Sequence, residues 1–111
     1  MEKSEQIVRQ YFKAYEAGDR QMIEQLLSND FRFSSPYDNR IDKNLYMKIC
    51  WPPHANFSHY DFKTILSDGD DVMLRYECET EHFGRLKNAE YFRLKDGMIV
   101  EIVVYFGDAA Q

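Results

Sequence analysis

Residues 11–36 read YFKAYEAGDRQMIEQLLSNDFRFSSP, a helix, its stop, a second helix and a first strand in one sweep. Upstream, Ser4 is placed to cap the first helix. Ile7, Val8, Tyr11, Phe12 and Tyr15 then fall on one stripe at helical spacing, which predicts a helix from Ile7 to Ala17. In the AGD tripeptide, Gly18 suits a left-handed C-terminal residue. Asp19 caps a second helix whose Met22, Ile23, Leu26 and Leu27 share a face. Asn29 and Asp30 turn the chain into a strand with Phe31, Phe33 and Ser35 on one side and Arg32 and Ser34 on the other. Pro36 ends the ladder, because it has no N–H to donate.

Downstream, Asp42 reads as the cap of a third helix from about Lys43 to Cys50, with Leu45, Tyr46 and Ile49 on one face. Trp51-Pro52-Pro53 stops it. Four strands follow, roughly Phe57 to Leu66, Val72 to Thr80, Leu86 to Leu94 and Met98 to Phe106. The turns SDGDD, HFG and KDG join them into an antiparallel meander. Val72, Leu74, Tyr76, Cys78 and Thr80 alternate onto one face. The last strand is apolar on both, with Val100, Ile102, Val104 and Phe106 on one side and Ile99, Val103 and Tyr105 on the other. A strand apolar on both sides is covered on both sides. Three helices cover only one, so the other is predicted to meet a second copy through Tyr91, Arg93, Val103 and Tyr105, making a homodimer. The fold class is α+β: three helices, then a curved antiparallel or mixed sheet that wraps the N-terminal helix as a cone and leaves a cavity between them.

At 111 residues and 44% hydrophobic content the chain fits one domain, 1–111. Its 15% aromatic content exceeds what a core of this size needs and points to rings lining a pocket or an interface. A net charge of -5 argues against nucleic acid and anionic membrane as partners, which demand a basic face. The polar start and the lack of a long apolar run predict a cytoplasmic protein. Cys50 and Cys78 have no CxxC spacing and read as free thiols, Cys78 buried. Cys50, His54 and His59 match no standard zinc spacing, so no metal and no cofactor is expected. SDGDD and His82 read as solvated turns.

The order of these elements resembles the nuclear transport factor 2-like superfamily, in particular its SnoaL-like and ketosteroid isomerase-like branch. The resemblance spans the chain. It rests on residues 11–36, on CWPP at the end of the third helix, on AEYFRLKDGMIVEI for the hairpin, and on YFG near the end. In the isomerase branch a tyrosine eight residues before the Asp of the AGD turn belongs to an oxyanion hole, and Tyr11 has that spacing. A carboxylic acid kept neutral by an apolar site is the second donor. Glu90 matches its position, two residues before Phe92. The general base is an Asp directly before Pro at the end of the first strand, where this chain has Ser35. An unactivated serine hydroxyl cannot take a proton from carbon at neutral pH, so the isomerase reaction does not carry over unchanged.

Asp38, just past Pro36, and His59 are the nearest groups able to replace that base. Asp38 also fits a simple turn. The candidate catalytic set is therefore Tyr11, Glu90, Asp38 and His59. Tyr15, Phe33, Ser35, Tyr46, Trp51 and Tyr76 are expected to line the pocket. Cys78, Phe92, Ile102, Val104 and Phe106 complete that lining. The expected function is binding of a small apolar cyclic or carbonyl compound, with acid/base lyase or isomerase chemistry. The alternative is a non-catalytic ligand-binding or dimerisation domain.

Overall fold

A computed structural model describes residues 2–51, 57–81 and 84–109. Helix α1 runs Lys3–Ala17, α2 Arg20–Leu26 and α3 Lys43–Ile49. The strands are β1 Leu27–Ser34, β2 Ile41–Asp42, β3 Ser58–Asp68, β4 Asp71–Thr80, β5 Gly84–Lys95 and β6 Met98–Ala109. They form one curved six-stranded sheet in the order β2-β1-β6-β5-β4-β3. All neighbours are antiparallel except β1 and β6, which run parallel. The α+β architecture with a mixed sheet is thus the expected one.

The caps of α2 and α3 form as the sequence dictates. Asp19 Oδ1 accepts the Met22 amide at 3.1 Å, and Asp42 Oδ1 accepts the Leu45 amide at 2.9 Å. Gly18 takes the left-handed conformation, φ 71°, and its amide closes onto carbonyls of the last turn of α1. Helix α1 departs from expectation. It starts at Lys3 with Glu2 as an uncapped N-terminus, so Ser4 lies inside the first turn, buried. The buried stripe Ser4, Ile7, Val8, Tyr11 extends one turn further back than the capping signal suggested, and packing sets the start.

Two irregularities redistribute residues between the sheet faces. Strand β1 begins at Leu27, earlier than expected, and its register against β6 shifts between Leu27 and Arg32. The bond from the Asp30 amide to Ser28 Oγ, 3.2 Å, lies inside that shift, so Asn29 and Asp30 form a bulge rather than the lead-in turn. In β6, Ile99 pairs with Leu94 and Glu101 with Arg93, which leaves Val100 as an extra residue. The bulge carries Ile99 onto the concave face, where it is fully buried, and corrects its assignment to the outer face.

The core lies between α1 and the concave face of the sheet. The Phe12 ring meets those of Tyr60, Phe62, Tyr76 and Phe92 at centroid distances of 5.2 to 5.6 Å, mostly edge to face. Helix α3 lays Tyr46 on Phe31 and Phe33 of β1 at 5.2 and 4.8 Å. Lys43 Nζ donates to the carbonyls of Glu24 and Leu27, which ties α3 to the end of α2.

At the far end of β6 a second irregularity places Gly107 against β5, where a Cβ would stand 2.0 Å from the Lys87 carbonyl oxygen. The obstacle is backbone and cannot rotate away. Gly107→Ala is expected to lower stability by about 2 kcal/mol, read as a fall in urea midpoint at unchanged slope; an unchanged midpoint would show that β6 can shift there freely.

Candidate functional site

The site grows from one residue of β5. Glu90 projects into the concave side, opposite Leu74 on β4 and Val104 on β6 and next to Phe92 on its own strand. All four are buried, Glu90 with 6% of its surface exposed. A carboxylate in such surroundings loses water and gains little in return. Burial accordingly pushes the Glu90 carboxyl from 4.5 up to about 7, although the Tyr76 hydroxyl, which donates to Oε1, opposes the rise.

Five tyrosines stand near enough for the Glu90 charge to bear on them: Tyr11 and Tyr15 from α1, Tyr46 from α3, Tyr60 from β3 and Tyr76 from β4. Burial, chiefly, pushes each of their hydroxyls above the ordinary value of 10 and keeps them neutral donors. Tyr11 Oη and Tyr46 Oη share a hydrogen bond of 2.6 Å. The expected partnership of Tyr11 with Glu90 therefore takes a different form: Glu90 is bonded to Tyr76, and Tyr11 to Tyr46. Tyr15 lies against Trp51 at 5.2 Å and Phe57 at 6.1 Å, at the end of the aromatic cluster.

The second group is the turn after β1. Ser35 and Asp38 exchange backbone bonds, the Ser35 amide donating to the Asp38 carbonyl at 2.9 Å and the Asp38 amide to the Ser35 carbonyl at 3.3 Å. Ser35 Oγ donates to Asp38 Oδ2 at 3.1 Å and accepts the Tyr37 amide at the same distance. Asp38 is thus part of a turn, as its sequence context allows, and its carboxyl accepts from the Ser35 hydroxyl. Burial and then the Asp38 charge push the Cys50 thiol up to about 11. Cys50 ends α3, one turn after Tyr46.

His59 is not brought into this group. It is 74% exposed on the flank of β3, with Nδ1 3.0 Å from Glu79 Oε2 and its amide donating to Glu16. It borders a cleft of about 590 Å³ with Arg9, Lys13, Glu16, Tyr60 and Phe62. Its left-handed φ of 53° sits where β3 breaks register, which swings the side chain outward. Phe106 stands opposite the inward Asn88 but at the open end of the sheet. Half exposed, it packs on Tyr37 at 5.6 Å because the sheet opens there.

Of the other expected lining residues, Phe33, Tyr46, Trp51, Tyr76, Cys78, Phe92, Ile102 and Val104 are buried in the core. Sequence alternation placed Tyr76 inside but left its bond to Glu90 unread, and it missed Asn88 and Tyr60. Asn88 shares the parity of Glu90 on β5, and that was the available signal. His54 and His82 lie outside the described residues. Among the described residues no group of three or more His, Cys, Asp or Glu is arranged to hold a metal ion, and no helix is long and apolar enough to cross a membrane.

The Glu90 titration has a thermodynamic consequence. Its folded-state pKa is raised, so its contribution to stability is complete below 4.5 and is lost as pH rises through about 7. A change from 4.5 to about 7 corresponds to about 3 kcal/mol. Urea unfolding from about pH 4 to about pH 8 should show wild type losing about that much relative to Glu90→Gln. Parallel pH profiles for the two proteins would mean that Glu90 ionises as in water.

The sequence matches the SnoaL-like domain family over residues 8–102. No curated protein matches it. Among solved structures, an NTF2-like protein of unknown function from Cytophaga hutchinsonii superposes with a TM-score of 0.79 at 21% identity, covering 94% of this chain and 89% of that one. A Kribbella flavida protein assigned as a ketosteroid isomerase gives 0.83 at 17% identity, covering 98% and 81%. An LEH-like epoxide hydrolase of M. tuberculosis gives 0.75 at 18%, covering 95% and 83%. At these identities the likeness is one of fold. The family match, running from α1 into β6 through every element that carries the Glu90 and Asp38 groups, identifies the chain as a member of the SnoaL-like domain family, of NTF2-like fold.

Proposed function

We propose that this chain binds a small, largely apolar cyclic or carbonyl compound on the concave side of its sheet and acts on it by acid/base chemistry, as a SnoaL-like lyase or isomerase. The observation that supports this most is the buried Glu90 carboxyl, pushed to about 7 within a group of neutral tyrosine hydroxyls. An acid with its pKa near the working pH is both half available as a donor and strong enough to transfer its proton. In the proposed step Asp38, steadied by Ser35 Oγ, takes a proton from the carbon next to a carbonyl. The electron pair moves onto the carbonyl oxygen, where the Glu90 acid and the Tyr11–Tyr46 hydroxyl pair stabilise the enolate. Reprotonation at carbon completes an isomerisation, and loss of a neighbouring leaving group completes an elimination. The similar folds include an isomerase and an epoxide hydrolase, and fold alone does not choose among reactions.

The test uses β-tetralone as an apolar cyclic ketone and follows exchange of its α-protons in deuterium oxide by NMR. Wild type should accelerate exchange, with the acceleration falling as pH rises through about 7 because Glu90 then loses the proton it donates. Glu90→Gln and Asp38→Asn should each lower the rate by about 100-fold. Exchange no faster than in buffer, or unaffected by both changes, would sink the reading.

A second reading, a non-catalytic ligand-binding or dimerisation domain, draws support from the bonds themselves. Tyr11 is already bonded to Tyr46 and Glu90 to Tyr76 within a packed core, and a ligand would have to displace those bonds. Ketone binding seen by chemical-shift change without exchange would favour it.

Either reading includes a homodimer formed by the outer sheet face. Met73, Tyr91 and Val103 line up across β4, β5 and β6, and Tyr105 follows two residues on. Tyr105 is 54% exposed and Met73 43%, with Arg93 and Glu101 paired at the margin. A contiguous apolar strip with a charged rim is suited to a self-complementary contact. Tyr105→Arg should convert the dimer to a monomer on size exclusion; an unchanged elution volume would place any interface elsewhere.

A further inference from the structure

Asn88 has no role in the chemistry above, yet it is buried on the concave face of β5, one alternation before Glu90. A buried primary amide needs partners for both ends. The Gly107 amide supplies one, donating to Asn88 Oδ1 at 3.2 Å. Because an N–H can only donate, the carbonyl end of the side chain faces Gly107 and the NH2 end faces inward. There Nδ2 donates to Tyr76 Oη at 3.4 Å, a long bond that sets direction more than strength. With a donor already on its oxygen, Tyr76 has its own hydrogen to give, and gives it to Glu90 Oε1. The chain of donors runs from Gly107 through Asn88 and Tyr76 to the buried carboxyl. Its outer end is fixed, since Gly107 is wedged against the Lys87 carbonyl.

We propose that Asn88 is a positioning residue of the Glu90 site: pinned by the Gly107 backbone amide, it turns the Tyr76 hydroxyl so that its hydrogen is delivered to the carboxyl. The inference rests on Glu90 as the acid of the proposed reaction, but its test reads Glu90 directly and needs no turnover. A tyrosine hydroxyl that also accepts a hydrogen bond is a stronger donor, and its donation favours the carboxylate. Removing the amide therefore raises the Glu90 midpoint. Among the described residues, the buried groups that bear on Glu90 do not titrate near neutrality. Tyr11, Tyr15, Tyr46, Tyr60 and Tyr76 are held above 10, and burial pushes Cys78 up to about 11.

The measurement is a carbon NMR titration of the Glu90 carboxyl in isotope-labelled protein, for wild type, Asn88→Leu, Tyr76→Phe and the double variant. Each single change should raise the midpoint by about half a pH unit or more, and the double variant should match Tyr76→Phe alone. A packing effect of Asn88 would instead add to the Tyr76→Phe shift, and that outcome overturns the proposal, as does an Asn88→Leu midpoint equal to wild type. If Asn88→Leu does not fold, the side-chain amide of Asn88 in wild type carries the test. Its nitrogen resonance should follow the Glu90 midpoint and should stop doing so in Tyr76→Phe; an amide that is silent, or that still titrates without the Tyr76 hydroxyl, refutes the relay. Absent ketone exchange alongside an intact relay would reject the catalytic reading and leave the role of Asn88 standing.

Discussion

The seat of Phe12 is the constraint from which the rest follows. Its ring touches one aromatic on each of β4 and β5 and two on β3, so a single side chain of α1 fixes the helix against three strands at once. Edge-to-face geometry restricts the angle as well as the distance. With α1 held there, its next residue inward, Tyr11, faces Phe92 at 5.3 Å and reaches α3 through Tyr46. The polar group at the centre of the molecule is therefore assembled by apolar contacts around it. Glu90 keeps its proton up to about pH 7 because those contacts exclude water, so the same packing that stabilises the fold raises the acid's pKa.

The alternation of β4, the AGD stop and the caps Asp19 and Asp42 were legible because each is a local decision made within a few residues. So was the inward direction of Glu90, which follows from parity with Phe92. Ile99 was misread because a single extra residue at Val100 inverts parity for everything before it, and no residue type marks that bulge. The start of α1 was misread for a related reason: a capping signal at Ser4 competes with a buried stripe, and tertiary contact prevailed. At the site, the set of inward residues was readable, but not their pairing. Whether Tyr11 bonds Glu90 or Tyr46 depends on where α3 lands on β1, and whether Tyr76 reaches Glu90 depends on register between β4 and β5. Both are relations between different elements, set by tertiary docking or strand register rather than by local sequence. His59 shows the same limit from the other side, since its outward turn comes from a break in register that local sequence does not announce.

At the end of β1 the turn is built around a serine hydroxyl. Ser35 keeps a hydrogen-bonding group at the end of β1 and hands its hydrogen to Asp38, three residues on. Four bonds hold that turn in place, two of them through the serine hydroxyl, so Ser35 and Asp38 operate as one unit.

The pairing of β1 with β6 bears on how the molecule is made. Phe33 finds its sheet partner at Ile102, so the first long strand of this sheet to be synthesised waits for the last. Until β6 emerges, β1 has only the two-residue strand β2 as a sheet neighbour among the described strands, and the edge that β6 will occupy is open on both neighbours. The hairpins of β3, β4 and β5 can close early. The parallel seam at the centre of the sheet can close only after synthesis has passed residue 102, which makes that seam the late, slow event of folding and its exposed edges the chief hazard on the way.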